Sequence, residues 1–232
     1  LKPFNALVLK DVRLIDEDPP ITSSGEVLDT LANAGSLTAT FSIKGLFRKE
    51  GAHLSKVSVS DASLTFVAEE NGNNIKRIFG LSAKGKDKEK KEMGRVFDAR
   101  KTRVEGFRFR FVNLRRPKPS VDGVINWSDL DITVHDLEAN DLSLAEGYMR
   151  GEVEDLSATE RSGYHIASLK GRVSVGGGAA IVEDLRLADG RSDIRMDEFF
   201  LRYGNMEAFG DFLEKVRIGG STRKSVLGFP SL

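Results

Sequence analysis

The chain has no cysteine. Thiol nucleophiles, thiolate metal sites and a disulfide framework are thereby excluded, and the lack suits a reducing or an oxidising compartment equally. Histidine is scarce: His53, His135 and His165 stand far apart, His-x-x-x-His does not occur, and the one Glu-x-x-His, Glu50 to His53, has no second such pair to complete a ligand set. The acidic stretch from Asp129 to Asp141 lacks the spacing and the glycine of a calcium loop, so no metal is expected. Neither sign of charge prevails, with 35 Lys+Arg against 35 Asp+Glu. A nucleic-acid footprint over the whole chain would need a basic excess, and no such partner is expected. No charge-free stretch approaches the ~20 apolar residues of a membrane helix. Residues 173–182 form one such short run, and they include three glycines. Gly-x-Ser-x-Gly, a Walker loop and a strand-borne Gly-x-Gly-x-x-Gly are all missing. Nothing in the chain makes a catalytic constellation or calls for a cofactor, and the expectation is a protein that is not an enzyme.

What is present suffices for a core. The 232 residues are 40% apolar, and a globule of that size buries roughly 70% of its unfolded surface without staples. The apolar residues alternate: Leu7 and Leu9, then Leu37, Ala39, Phe41 and Ile43, then Phe107, Phe109 and Phe111 with Arg108 and Arg110 between them. Period two means strands with one wet and one dry face. Short helices are predicted at residues 74–81, 128–130 and 206–216. The last carries Phe209, Phe212, Leu213 and Val216 on one helical face.

One pattern recurs seven times. Two apolar residues alternate, a step of three follows, and two more alternate. The residue just before the end of the step is Asp11, Asp61, Gly106, Asp136, Asp155, Asp184 or Glu198. An extra residue at the step keeps the apolar side chains on one face, which describes a bulge or a sheet corner. Asp and Gly tolerate the backbone angles such a corner needs, and Glu198 suits it less well. The strands should bend and the sheet should curl. The repeats are unevenly spaced, which argues against a regular solenoid and for antiparallel strands joined by hairpins. Turn signals agree at Glu70-Asn71-Gly72-Asn73, Gly147, Arg161-Ser162-Gly163, Gly176-Gly177-Gly178, Asp189-Gly190 and Gly219-Gly220.

The expected fold is therefore mainly β, a curled antiparallel sheet with a few short helices, as a single elongated domain over residues 1–232. The charged run at 83–94 offers a possible subdivision into 1–82 and 95–232, and its mixed signs read as a solvated loop. Two prolines break the ladder at Arg115-Arg116-Pro117-Lys118-Pro119. Trp127 is expected to anchor the turn that follows, where Asn126-Trp127-Ser128 also matches a glycosylation sequon. The chain starts at Leu1 and is read as a piece of a longer protein. The apolar positions beside the steps, Leu7, Leu9, Val57, Val59, Phe66, Phe107, Phe109, Ile132 and Val134, are the candidate site. In an open curl they line a groove that an acyl chain can fill, and in a closed one they are an ordinary core.

Several stretches resemble the amino-terminal periplasmic part of TamB-type proteins, members of the AsmA-like family of bacterial envelope proteins. They are LKPFNALVLKDV at 1–12, LTATFSIKGLFRK at 37–49 followed by residues 57–66, NWSDL at 126–130, the repeated Asp-Leu strands, and Phe209-x-x-Phe212-Leu213. The resemblance covers most of the chain. It implies an antiparallel sheet folded into a trough, the β-taco or repeating β-groove, with an apolar concave side. It further implies a periplasmic location with the parent anchored in the inner membrane by a segment absent here. The implied role is phospholipid transfer or outer-membrane protein assembly, with phospholipid acyl chains as ligands. An outer-membrane assembly protein is the implied partner, reached through a carboxy-terminal region also absent here. A carbohydrate-facing β protein, adhesin-like or a polysaccharide lyase, and a purely structural stalk are the alternative readings.

Overall fold

Alternating polarity stabilises extended chain because only a strand sends successive side chains to opposite faces. The computed structural model of the chain follows that rule nearly throughout. It describes residues 5–41, 52–70, 72–74, 95–145, 148–204, 208 and 212–228. The elements are β1 (Ala6–Ile15), β2 (Thr30–Phe41), β3 (Ala52–Glu69), β4 (Gly72–Asn73), β5 (Arg95–Asn113), β6 (Asp129–Ala145), β7 (Tyr148–Glu160), β8 (His165–Ile166), β9 (Ser168–Gly176), β10 (Ala179–Ala188), β11 (Asp193–Arg202), α1 (Phe212–Lys215) and β12 (Arg217–Thr222).

All twelve strands belong to one curled sheet that does not close on itself. Its order is β1-β2-β3-β5-β6-β7-β9-β10-β11-β12, with β4 pairing β3 and β8 pairing β7. The pairing is not antiparallel throughout. β3 and β5 run parallel, in register from Ala52↔Phe97 to Ala68↔Asn113. Side-chain alternation is the same in either direction, so the sequence pattern carries no mark of it. The sheet passes directly from β3 to β5, on either side of the charged run, which itself lies outside the described residues.

The steps of three are corners of two kinds. Asp11, Asp61, Asp184 and Gly106 adopt left-handed backbone angles, with φ of 51°, 52°, 50° and 66°. One left-handed residue turns the alternation over, so Val59 and Ala62 share a face although they are three apart. Asp136, Asp155 and Glu198 instead sit where the register shifts, the first two between β6 and β7 and the third between β11 and β12. Asp184 does both, since the β9–β10 register also shifts there. A further left-handed residue, Asp141 with φ of 49°, was not singled out from the pattern. It makes the same step between Ala139 and Leu142.

Other expectations need correction. Residues 128–130 are not helical: Ser128 lies in a turn, and Asp129 and Leu130 open β6. Gly219 and Gly220 are not a turn but part of β12. There a Cβ on Gly219 would lie within 3.0 Å of the Phe200 ring, so glycine permits a close strand approach rather than a bend. The helix expected at 206–216 is described only as α1 and an isolated turn residue, Ala208. That expected at 74–81, beyond Asn74, and the turn at Gly147 lie outside the described residues.

Packing is concentrated toward the ends of the strands. Leu28, in the β1–β2 connection, covers Val67 and Val112, and Val67 is fully buried. Phe66, Ala68 and Phe111 form a second cluster with Phe109 and Leu130. In it the Phe66 and Phe111 rings stack at a centroid distance of 5.8 Å. Trp127 packs on a third, made of Tyr203, Ala208 and Val216 together with Ala180 and Leu201. It thus anchors its turn as expected, and also joins the β5–β6 connection to the far strands of the same sheet.

Candidate functional site: an open apolar sheet face

Residues directly opposite each other on neighbouring strands point to the same face. The register therefore sorts the side chains into rows. One row runs Leu9, Leu37, Val59, Val104, Leu137, Leu156 across six strands. Its neighbour runs Leu7, Ala39, Val57, Thr102, Ala139, Val153. Beyond the corner come Val12, Ala34, Ala62, Phe107, Val134, Ala158, and then Leu14, Ala32, Leu64, Phe109, Ile132. Phe66, Phe111 and Leu130 end the series. The nine candidate residues thus fall into adjoining rows of one face.

Their exposure differs along the sheet. Leu7 is 51% and Leu9 42% exposed, whereas Phe66 is buried under the Phe111 cluster. Val57, Val59, Phe107, Phe109, Ile132 and Val134 are half-buried. Half-burial means that neighbours within the sheet crowd these side chains without enclosing them fully. Among the described residues no second sheet packs on the rows.

The alternate rows are polar. Lys10, Ser36, Ser60, Glu105 and Asp136 make one, and Arg13, Asn33, Ser63, Arg108 and Thr133 another. Charges pair across this face. Arg103 meets Glu105, Asp136 and Glu138. The Arg108 guanidinium donates to both oxygens of buried Asp131, at 2.8 and 2.6 Å, and holds that carboxyl below the usual range against the opposing effect of burial. Arg110 bridges Asp129 to Glu26 of the β1–β2 connection and lowers Glu26 in the same way.

The histidines lie apart from the apolar rows. His53 Nδ1 is 3.2 Å from Asp98. His135 Nε2 and His165 Nδ1 both reach the Thr159 hydroxyl, at 2.8 and 3.2 Å. Among the described residues no three His, Asp or Glu side chains are grouped to hold a metal. A hollow of about 770 Å³ contains none of the nine candidate residues. Its lining is mainly charged and polar, with His53, Asp98, Arg100, Arg150, Glu152 and Arg172 among it. An acyl chain placed there would strip water from those charges without replacing it. The apolar rows, shallow but continuous, are the better chemical match for one.

No helix among the described residues is long and apolar enough to cross a membrane. Neither the protein-family models nor the curated proteins contain a match to this chain.

Proposed function

We propose that the chain is a non-enzymatic, lipid-handling module whose open apolar face receives phospholipid acyl chains. The observation that carries this is the run of apolar rows across six adjoining strands, over which no second sheet packs among the described residues. A globular core of that extent would be covered, because exposed apolar area is costly unless something else occupies it. Burying one CH₂ is worth about 0.8 kcal/mol. A chain of ~14 methylenes therefore gains on the order of 10 kcal/mol before the costs of ordering it. A bilayer offers its chains the same gain, so exchange between a membrane and this face is nearly balanced, which permits both uptake and release. Together with the resemblance to TamB-type chains, this supports a role in the periplasm. There the module carries lipid, or shields apolar segments of outer-membrane proteins, between an inner-membrane anchor and an outer-membrane partner.

The test is native mass spectrometry of protein purified without detergent, beside Phe109→Asp and Val134→Asp variants. Co-purified phospholipid should be lost in variants whose circular dichroism is unchanged. Lipid-free protein in every preparation, including after incubation with phospholipid vesicles, would sink the proposal.

A further inference from the structure

The hollow of about 770 Å³ takes its side chains from the face opposite the apolar rows. Val153 belongs to one of those rows, and alternation puts Glu152 and Arg150 on the other side of β7. The register supplies their neighbours. His53, Asp98, Ser143, Arg150 and Ser174 lie opposite one another in one row across β3, β5, β6, β7 and β9. The adjoining row runs Glu152, Arg172, Glu183, Glu198 across β7, β9, β10 and β11. Every one of these residues lines the hollow.

The first row holds donors without acceptors. Arg103, Arg108, Arg110 and Arg172 each meet a carboxylate at 2.5 to 2.7 Å. Arg100 and Arg150, both in the lining, meet none among the described residues. The Ser143 and Ser174 hydroxyls, half-buried on either side of Arg150, likewise have no hydrogen-bond partner among the described residues. Asp98, the carboxylate of this row, is engaged by His53 Nδ1 at 3.2 Å. An anion seated on Arg150 therefore has a hydroxyl donor one strand away, ~4.8 Å, on each side. That is donor chemistry for a phosphate group, with charge-assisted bonds from the guanidinium fork and neutral ones from the hydroxyls.

The second row has the opposite need. Arg172 serves Glu183 and Asp184, whereas Glu152, Glu198 and neighbouring Asp141 have no partner among the described residues. Ionised carboxylates only accept hydrogen bonds. Glu152 stands two residues from Arg150, ~6.8 Å along the strand. Three arginines line the hollow against five carboxylates, so a bare inorganic anion gains little there. Both rows are satisfied by a ligand that carries a phosphate and, a few ångströms away, hydroxyls that donate to the carboxylates. Tyr148 also lines the hollow and is 38% exposed, a flat surface for a sugar ring to lie on. The volume is that of a small-molecule site.

We propose that this hollow binds a phosphorylated saccharide. Its phosphate sits on Arg150 between Ser143 and Ser174, with Arg100 as the second cation, and its hydroxyls donate to Glu152 and Asp141. The site is separate from the apolar rows and independent of what fills them.

Isothermal titration calorimetry tests it with trehalose 6-phosphate, glucose 6-phosphate, trehalose and inorganic phosphate as probes. At least one sugar phosphate should bind about tenfold tighter, or more, than trehalose and inorganic phosphate do. Arg150→Gln should weaken that binding by about tenfold or more, and Ser174→Ala severalfold, with β-sheet circular dichroism retained. Glu152→Gln should narrow the gap between the sugar phosphate and inorganic phosphate, since it removes a hydroxyl acceptor and a repelling charge together. Arg13→Gln, on the same face in β1 and outside the hollow, should change nothing. No binding of either sugar phosphate overturns the proposal. So does inorganic phosphate binding as tightly as they do, which makes the hollow a plain anion site. Trehalose binding as tightly overturns it too, because the arginines then have no role. A folded Arg150→Gln protein that binds unchanged places the ligand elsewhere and overturns the site.

Discussion

Gly35 lies opposite Asp61, the corner residue of β3, and a Cβ on that glycine would stand 3.1 Å from the Cβ of Asp61. Asp61 is left-handed, which swings its own Cβ toward the neighbouring strand. The two residues are one device: a left-handed aspartate turns the strand and a glycine leaves room for it. Gly35→Ala should destabilise by about 1–3 kcal/mol, the usual cost of overpacking. Asp61→Gly should cost little. Relief of the left-handed penalty, about 1–2 kcal/mol, offsets the greater freedom of glycine in the unfolded chain. Urea denaturation of both variants decides it. Equal losses at the two positions would show that crowding is not what selects Gly35.

Gly171 faces the corner made by Asp184 and Leu185. Its φ is 150°, and an added Cβ would meet Val182 Cγ1 at 2.8 Å and the Glu183 carbonyl at 2.9 Å. Backbone cannot yield as a side chain can, so Gly171→Ala should destabilise more than Gly35→Ala. Gly25 is the control. It is left-handed with nothing within 4 Å, and its replacement by alanine should cost only the conformational ~1 kcal/mol. The expected order of loss is Gly171, then Gly35, then Gly25, measured as shifts of the urea midpoint. A Gly25→Ala loss as large as that of Gly171→Ala would contradict it.

The corners show how much the sequence discloses. Asp11, Asp61 and Asp184 were legible because apolar residues flank them in a fixed frame, and the side chains themselves report which face they share. Asp141 escaped because its own instance of the pattern, Leu137-x-Ala139-x-Asp141-Leu142-x-Leu144, overlaps the one centred on Asp136 and shares Leu137 and Ala139 with it. The candidate face was legible for the same reason as the corners, since burial on one side is what alternation encodes. The parallel pairing of β3 with β5 left no trace, because direction does not alter alternation. Nor did the contact of Trp127 with Tyr203, which depends on curvature summed over several strands. The hollow around His53 and Arg150 gathers residues from distant strands with no shared motif, and no local reading could have assembled it.

The pairing of Arg108 with Asp131 should appear in the acid limb of stability. Asp131 titrates below the usual carboxylate range, chiefly because it accepts two hydrogen bonds from Arg108. Glu26 is lowered by its hydrogen bond from Arg110. A carboxyl lowered in the folded state adds stability above its unfolded pKa, about 4. That stability is lost as pH falls through the folded value. Stability should therefore be level near neutrality and fall steeply below about pH 4. Asp131→Asn should cost about 1.5–3 kcal/mol at pH 7 and much less near pH 2. Denaturant titrations at both pH values give the comparison, and a deficit that is the same at both would sink the assignment.

Trp127 is the single tryptophan of the chain and packs against Tyr203, Ala208 and Val216. The contact ties the β5–β6 connection to the end of β11 and the start of β12, so it holds the curl of the sheet rather than any one hairpin. Removing the ring leaves a gap between parts that no backbone ladder joins. Trp127→Ala should cost about 2–3 kcal/mol, less than the ~3–5 of a fully buried aromatic, because the ring is half-buried. The loss should be local. Hydrogen exchange should accelerate at Leu201, Arg202, Arg217 and Ile218, which pair across β11 and β12, and stay unchanged between β2 and β3. The same residue supplies its own optical report. Its emission in the native protein should lie to the blue of the unfolded value, and disrupting Tyr203 or Val216 should shift it red before the sheet melts. If exchange rises evenly through the sheet, or if emission moves only with global unfolding, Trp127 is not what holds the two ends together.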